Sequence, residues 1–166
     1  AGTPGSTADM SWIKEEFGFH DLQRLLFKLA DRVKVFQGLT PAEISEILAK
    51  AEKCTYEASA PIIREGSVGL HMYLIIDGEV VVTKQGRDGD VELARLGPAD
   101  SFGEMALADN EVRSANVTAA SPCVLVRIGE QTLRGHPAIG LKIYRNMAHL
   151  LSLRLRQADE QLAWHL

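Results

Sequence analysis

The chain has 166 residues, of which 46% are hydrophobic, and this is enough for one domain with a proper hydrophobic core. Its formal charge of −4 argues against general electrostatic capture of nucleic acid or of anionic membranes. No apolar run approaches the ~20 residues of a membrane-spanning helix, and the amino end does not resemble a secretory signal. We therefore expect a soluble, cytoplasmic protein, with no membrane and no nucleic-acid contact within this chain.

The amino-terminal third is predicted to be helical after a short leader. Residues 1–11 begin with small, polar and glycine-containing sequence, and we predict a flexible leader or an expression scar outside the fold. Apolar residues recur at helical spacing over 12–34, which predicts an amino-terminal helical segment of one or two helices. The remaining residues, 35–166, are expected to form the main domain, including its carboxy-terminal helices.

A further helix is predicted from its start signal. Thr40 is typical of an N-cap, Pro41 fits the first helical position, and Glu43 can reach back to complete a capping box. This helix is expected to run to about Glu52.

Between Cys54 and Ile128 the pattern predicts antiparallel strands. Short runs rich in Val, Ile and Leu alternate with Gly, Pro and Asp, as in a β sandwich or barrel. The expected strands lie near 54–58, 61–64, 71–76, 79–85, 91–96, 114–119 and 123–128. Cys54 and Cys123 both fall in these segments and are expected to be buried free thiols. The predicted fold class is mainly β with flanking helices.

Two more helices are predicted after Gly129, a short one to about Arg134 and a long one that ends near Leu162. Along the long helix an apolar 4-3-4 spacing is formed by Leu151, Leu155, Ala158 and Leu162. This spacing fits a helix–helix seam that would make the chain a homodimer. It fits equally well an amphipathic helix that lies on its own domain.

Residues 102–115 combine the groups that a ribose phosphate needs. Gly103 lets the backbone approach a ligand closely, and Glu104 to Ala108 favour one short helical turn whose first amides attract an anion. Arg113 supplies a planar, permanent cation suited to phosphate. Because two anions repel, Glu104 is better assigned to a ribose hydroxyl than to the phosphate.

The simpler interpretation treats each of these residues separately. Gly103 would mark a bulge, Glu104 would cap a surface turn, and Arg113 would be a solvated charge in a weak ion pair. Any one of these residues alone would support this interpretation, and their combination in one stretch favours the binding site.

The stretch closely resembles the phosphate-binding cassette of the cyclic nucleotide-binding domain family, with Phe-Gly-Glu-Met-Ala-Leu as its first half and Arg-Ser-Ala as its second. Residues 64–80 resemble the glycine-punctuated β-roll of the same family, and the likeness covers about residues 35–160. The resemblance implies a double-stranded β-helix, a jelly-roll-like β-roll, with amino-terminal helices and a carboxy-terminal helical lid.

The resemblance also implies roles for individual residues. Glu104 takes the ribose 2′-hydroxyl and Arg113 pairs with the cyclic phosphate. The cradle is completed by the amides of Gly103, Met105, Ala106 and Ala115 and by the Ser114 hydroxyl, and Phe102 opens the cassette.

Side chains outside the cassette are expected to contact the base and the ribose. Candidates for the apolar contacts are Leu74, Val82, Leu93 and Leu96. Arg154 and Arg156 on the long helix are candidate polar lids, and a solvated helix face is their alternative interpretation.

Cyclic AMP is the ligand favoured by the resemblance. The catabolite activator branch of the family reads adenine with a threonine–serine pair where this sequence has Arg154-Leu155. Cyclic GMP stays open, because the Ser114 hydroxyl can also bond a guanine in the syn orientation.

We expect a regulatory sensor that needs no cofactor, catalyses no reaction and signals to an unknown protein partner by repositioning its carboxy-terminal helix. The alternatives are a truncated transcription regulator of the catabolite activator type and a non-binding β-roll that serves as a protein-interaction scaffold. A metal enzyme would need clustered histidines with an acidic ligand, and the five histidines are scattered.

Overall fold

The computed structural model describes residues 11–109 and 112–165, with side chains from His20 to Trp164 within those ranges. The α-helices of these ranges are α1 (Ser11–Arg32), α2 (Pro41–Ala49), α3 (Glu130–Arg134) and α4 (Pro137–His165). The strands are β1 (Glu52–Tyr56), β2 (Pro61–Ile63), β3 (His71–Asp77), β4 (Val80–Gly86), β5 (Gly89–Leu96), β6 (Ser101–Phe102), β7 (Asn116–Ala119) and β8 (Cys123–Gly129). Two short 3₁₀ turns cover Lys34–Phe36 and Glu104–Leu107.

The strands form two four-stranded antiparallel sheets, with the orders β1-β8-β3-β6 and β2-β7-β4-β5. The pairs β4/β5, β3/β6, β2/β7 and β1/β8 are nested in sequence, and successive pairs alternate between the sheets. This is the pattern of one long hairpin rolled up into a jelly roll. The predicted β-roll with flanking helices is confirmed, and in the described part of the chain its two sheets do not close into a barrel.

Strand β3 connects the two hydrophobic clusters of the molecule. The inner cluster lies between the sheets and includes Tyr73 and Ile75. The outer cluster packs the helices against the other face of the first sheet and includes Met72 and Leu74. Because successive side chains of a strand point to opposite faces, residues 72–76 are all buried. The roll and the helices therefore share one central strand.

Most predicted elements are present, with shifts at their ends. The sequence analysis misses β6, because two residues are too few to show an alternating pattern. The strand predicted for 114–119 begins at Asn116, and the helix predicted to reach Glu52 ends at Ala49. Both cysteines are free and buried, as predicted.

Two predictions concern the organisation of the amino-terminal part of the chain. The leader predicted for residues 1–11 lies outside the described residues up to position 10, and Ser11 begins α1. The division between residues 34 and 35 stays a prediction. No helix within the described ranges is long and apolar enough to cross a membrane.

Helix α2 begins at the predicted capping box. Thr40 Oγ1 accepts a hydrogen bond from the Glu43 amide at 3.2 Å, and Glu43 Oε1 accepts one from the Thr40 amide at 3.1 Å. The same carboxylate accepts two bonds from Lys142 Nζ on α4, each at 2.9 Å. These bonds, that from Lys142 foremost, hold the pKa of Glu43 below its ordinary value. One acidic side chain thus starts α2 and ties it to α4.

We predict that Thr40→Ala lowers the free energy of unfolding by about 1 kcal/mol, because the substitution leaves the Glu43 amide without its cap. Urea unfolding followed by circular dichroism measures this change. Glu46→Ala, at an exposed position of the same helix, is the control and is expected to stay within about 0.5 kcal/mol of the parent. Equal effects of the two substitutions would contradict the capping role.

Candidate functional site

Arg113 is held by backbone groups of the β2–β3 connection, of the first residue of β3 and of Gly103. Its Nη2 donates to the His71 carbonyl at 2.7 Å, and its Nη1 donates to the Gly103 carbonyl at 3.2 Å. Its own amide donates to the Ser67 carbonyl at 2.7 Å, and its carbonyl accepts from the Gly66 amide at 2.8 Å. Four hydrogen bonds therefore fix both the backbone and the guanidinium of this residue.

Two glycines leave the space that this guanidinium occupies. A Cβ at Gly69 would collide with the Arg113 guanidinium. Gly103 has a φ of +76°, which side chains rarely adopt, and a Cβ there would lie 2.7 Å from Arg113 Nη1. Any side chain at either position would displace the arginine.

The Arg113 guanidinium carries its positive charge in a partly buried position. Among the residues that the structure describes, no carboxylate forms an ion pair with it. Partial burial lowers the pKa of Arg113, yet an arginine stays protonated at neutral pH. The pKa of the neighbouring His71 is also lowered, mainly by burial and to a smaller extent by the positive charge of Arg127. Arg113 is thus a partly desolvated cation whose charge an incoming anion would satisfy.

The 3₁₀ turn Glu104–Leu107 follows Gly103 directly. Ser101 Oγ donates to Glu104 Oε1 at 2.8 Å and so orients that carboxylate. The Ala106 amide donates to the Gly103 carbonyl at 3.2 Å, and this amide is therefore already used inside the turn. The amides of Gly103 and Met105 make no hydrogen bond to another described residue. These two amides are available to a ligand.

These groups line a cavity of about 550 Å³ at the mouth of the roll, a volume within the usual range of small-molecule sites. Of the residues that the sequence analysis selected, the cavity is lined by Val82, Phe102, Gly103, Glu104, Met105, Ala106, Arg113, Ser114, Ala115 and Arg154. Phe102 forms part of its wall and stacks on Tyr73, with ring centroids 5.1 Å apart.

Leu93 does not line this cavity. The register of β4 and β5 passes from Val82↔Ala94 to Thr83↔Glu92, and Leu93 is the extra residue of a bulge in the edge strand. Its side chain is 56% exposed. The alternating pattern that suggested an inward position fails at this bulge.

The other proposed base contacts also lie elsewhere. Leu74 is fully buried in the outer cluster and faces the helices. Leu96 lines a neighbouring groove, and Arg156 is an exposed residue of α4 outside the cavity lining.

Sequence reasoning missed several lining residues, which are Ile63, Ser101, Asp109, Val112 and Val117. Ile63 and Val82 both pair with Val117 across neighbouring strands. Such a register requires the sheet topology and cannot be read from local spacing. Ser101 could have been found, since a hydroxyl three residues before Glu104 can reach its carboxylate.

A second groove of about 420 Å³ lies between the turn and α4. Met105 lines it from the turn, and Met147, Leu150, Leu153 and Arg154 line it from α4. Arg154 and Glu104 border both the groove and the cavity. From residue 151 to residue 164, every position of α4 is exposed.

The described residues contain no group of three or more His, Cys, Asp or Glu side chains arranged to hold a metal ion.

Comparisons with known proteins agree with this geometry. The family model for the cyclic nucleotide-binding domain matches residues 53–135. The cyclic AMP receptor protein of Thermus thermophilus is 33% identical over 133 residues, covering 77% of this chain and 60% of that protein. The cGMP-dependent protein kinase egl-4 of Caenorhabditis elegans is 36% identical over 103 residues, covering 61% of this chain and 13% of the kinase.

Comparison with a solved structure gives the same family for this fold. The regulatory domain of Toxoplasma gondii PKA, crystallised with cAMP, superposes with a TM-score of 0.60 and 30% identity, over 70% of this chain and 43% of that one. The chain spans about 60% of the length of the Thermus relative. Fold, cassette and family model agree, and the chain belongs to the cyclic nucleotide-binding domain family.

Proposed function

We propose that this chain is a regulatory sensor that binds a cyclic nucleotide, with the cyclic phosphate on Arg113. The observation that carries the proposal is the partly buried guanidinium, which forms no ion pair with a described carboxylate and which two carbonyls hold at the wall of a ligand-sized cavity. A cyclic phosphate carries one negative charge and would pair with this cation. The amides of Gly103 and Met105 and the Ser114 hydroxyl would complete the cradle.

Glu104 is proposed to accept the ribose 2′-hydroxyl. Ser101 Oγ already occupies one lone pair of Oε1, which orients the carboxylate and leaves its other acceptor sites open. Since the ligand is anionic, a carboxylate in the same cavity helps only where it meets a hydroxyl donor.

Cyclic AMP is the proposed physiological ligand, and cyclic GMP is the alternative. The Thermus relative is named as a cyclic AMP receptor, and the Caenorhabditis relative as a cGMP-dependent kinase. Ser114 lines the cavity, and its hydroxyl would serve either nucleotide. Titration with both ligands separates the two assignments.

The proposed output is a change in α4. Arg154 borders the cavity, so a bound nucleotide would contact this helix and favour the arrangement in which the contact is best. We propose that the exposed half of α4 then presents a different surface to a protein partner, with no catalysis by this chain. A non-binding scaffold and a piece of a transcription regulator are the competing functions, and the first predicts no nucleotide binding at all.

We predict that Arg113→Ala weakens binding of cyclic AMP by about ten- to a hundredfold, because hydrogen bonds to charged groups contribute about 1.5–3 kcal/mol. The affinity of Arg113→Lys is expected to lie between those of the parent and of Arg113→Ala, because lysine keeps the charge but lacks the planar fork. Isothermal titration calorimetry of the nucleotide-stripped protein measures the affinities.

The matched control is Arg134→Ala, which removes an exposed arginine that pairs with Glu130 on α3. It should bind like the parent. If Arg113→Ala bound cyclic AMP like the parent, the phosphate assignment would be contradicted. If the parent bound no nucleotide, the function as a non-binding scaffold would be favoured.

We further propose that the chain forms a homodimer through α4. Leu151, Leu155 and Leu162 are 42%, 63% and 63% exposed, although they continue one apolar stripe with Ala158. A second copy of the same helix would cover this stripe by the same 4-3-4 spacing. We propose a second copy as the partner, because the two identical helices present the same apolar spacing to each other.

Leu155→Glu is expected to convert the dimer to a monomer, because it places two like charges in the seam. Arg156→Glu introduces the same side chain beside the stripe and serves as the control, which should remain dimeric. Sedimentation equilibrium gives the masses. A monomeric parent would refute the dimer, as would a dimeric Leu155→Glu variant.

A further inference from the structure

The 3₁₀ turn joins the ligand cavity to α4. Its first three residues line the cavity, whereas its last residue, Leu107, is only 4% exposed. The Leu107 side chain belongs to the outer cluster together with Ile139, Ile143 and Met147 of α4. Within four residues the chain passes from the candidate phosphate cradle to the packing surface of the helix.

A hydrogen bond closes this connection. Tyr144 Oη on α4 donates to the Leu107 carbonyl at 3.1 Å. Partial burial raises the pKa of Tyr144, so the hydroxyl keeps its proton, and its role as donor, at neutral pH. The carbonyl end of the turn is thereby fixed to α4, while the Gly103 end of the turn is fixed to Arg113.

Two other side chains of α4, Asn146 and Lys142, bind a different part of the molecule. Asn146 Nδ2 donates to the carbonyls of Val35 and Gln37, at 3.0 Å and 2.7 Å. Lys142 pairs with Glu43 of α2. These bonds hold α4 to the helical segment that precedes the roll, whereas the Tyr144 bond holds it to the cassette. Asn146 therefore offers a control on the same stretch of helix.

We propose that Tyr144 is a positioning residue of the nucleotide site: its hydroxyl holds the turn in the arrangement that presents the phosphate cradle, and it transmits ligand occupancy from the turn to α4. This inference rests on the proposed function. Coupling between two sites is reciprocal. A tether that favours the binding arrangement of the turn must also make a bound nucleotide stabilise α4.

The test uses the full chain and Tyr144→Phe, which removes one hydroxyl and keeps the ring. Loss of one neutral hydrogen bond is expected to weaken cyclic AMP binding by roughly two- to tenfold. At saturating cyclic AMP, amide hydrogen exchange of residues 148–160 should slow in the parent and slow much less in the variant. Saturation removes the effect of affinity, so this second readout reports transmission alone.

Asn146→Ala is the control, and thermal melting without ligand compares the stabilities of all three proteins. The inference expects Asn146→Ala to keep the parent's affinity and the parent's ligand-induced slowing of exchange. It is overturned if Tyr144→Phe binds and slows exchange like the parent, or if both variants lose the response equally, since α4 would then merely be destabilised. If the parent binds no cyclic nucleotide, the proposed function fails first and this inference fails with it.

Discussion

The placement of the Arg113 guanidinium is the constraint on which the candidate site depends. Two backbone carbonyls hold it, one at the start of β3 and one at Gly103, and two glycines leave it room. Carbonyls orient a guanidinium without cancelling its charge, which a carboxylate would do. The site therefore keeps a fixed cation whose hydrogen-bond geometry is organised before any ligand arrives. In our proposal this organisation lets a small nucleotide bind without a large ordering cost.

The nested β-roll places the candidate site beside the helices. Strand β3 is buried on both faces, one in the inner cluster between the sheets and the other in the outer cluster that packs the helices. The 3₁₀ turn also contacts both regions within four residues: its first residues line the cavity, and Leu107 packs among the helices. In our proposal, a ligand held at the turn acts on a segment that packs against α4. The exposed half of that helix is where we expect a partner, or a second copy, to respond.

The sequence predicted the features that are local in the chain. The cassette residues fall in two short runs within 14 positions and carry distinct chemistry, and the capping box of Thr40 and Glu43 spans one turn of helix. Long-range features could not be predicted, because they depend on register: Val117 pairs with both Ile63 and Val82, and a bulge turns Leu93 away from the cavity. The roll topology came from the family resemblance, since alternation alone left sandwich and barrel open. The Tyr144 contact joins residues 37 positions apart and has no local signature.

The crystal structure of this chain with cyclic AMP would test the central claim most directly. The account predicts the cyclic phosphate within hydrogen-bond distance of the Arg113 guanidinium and of the Gly103 and Met105 amides, with the ribose 2′-hydroxyl on Glu104. Arg113 should keep its bonds to the His71 and Gly103 carbonyls. A nucleotide bound with its phosphate away from Arg113, or an arginine that leaves both carbonyls to reach it, would contradict a preorganised phosphate site.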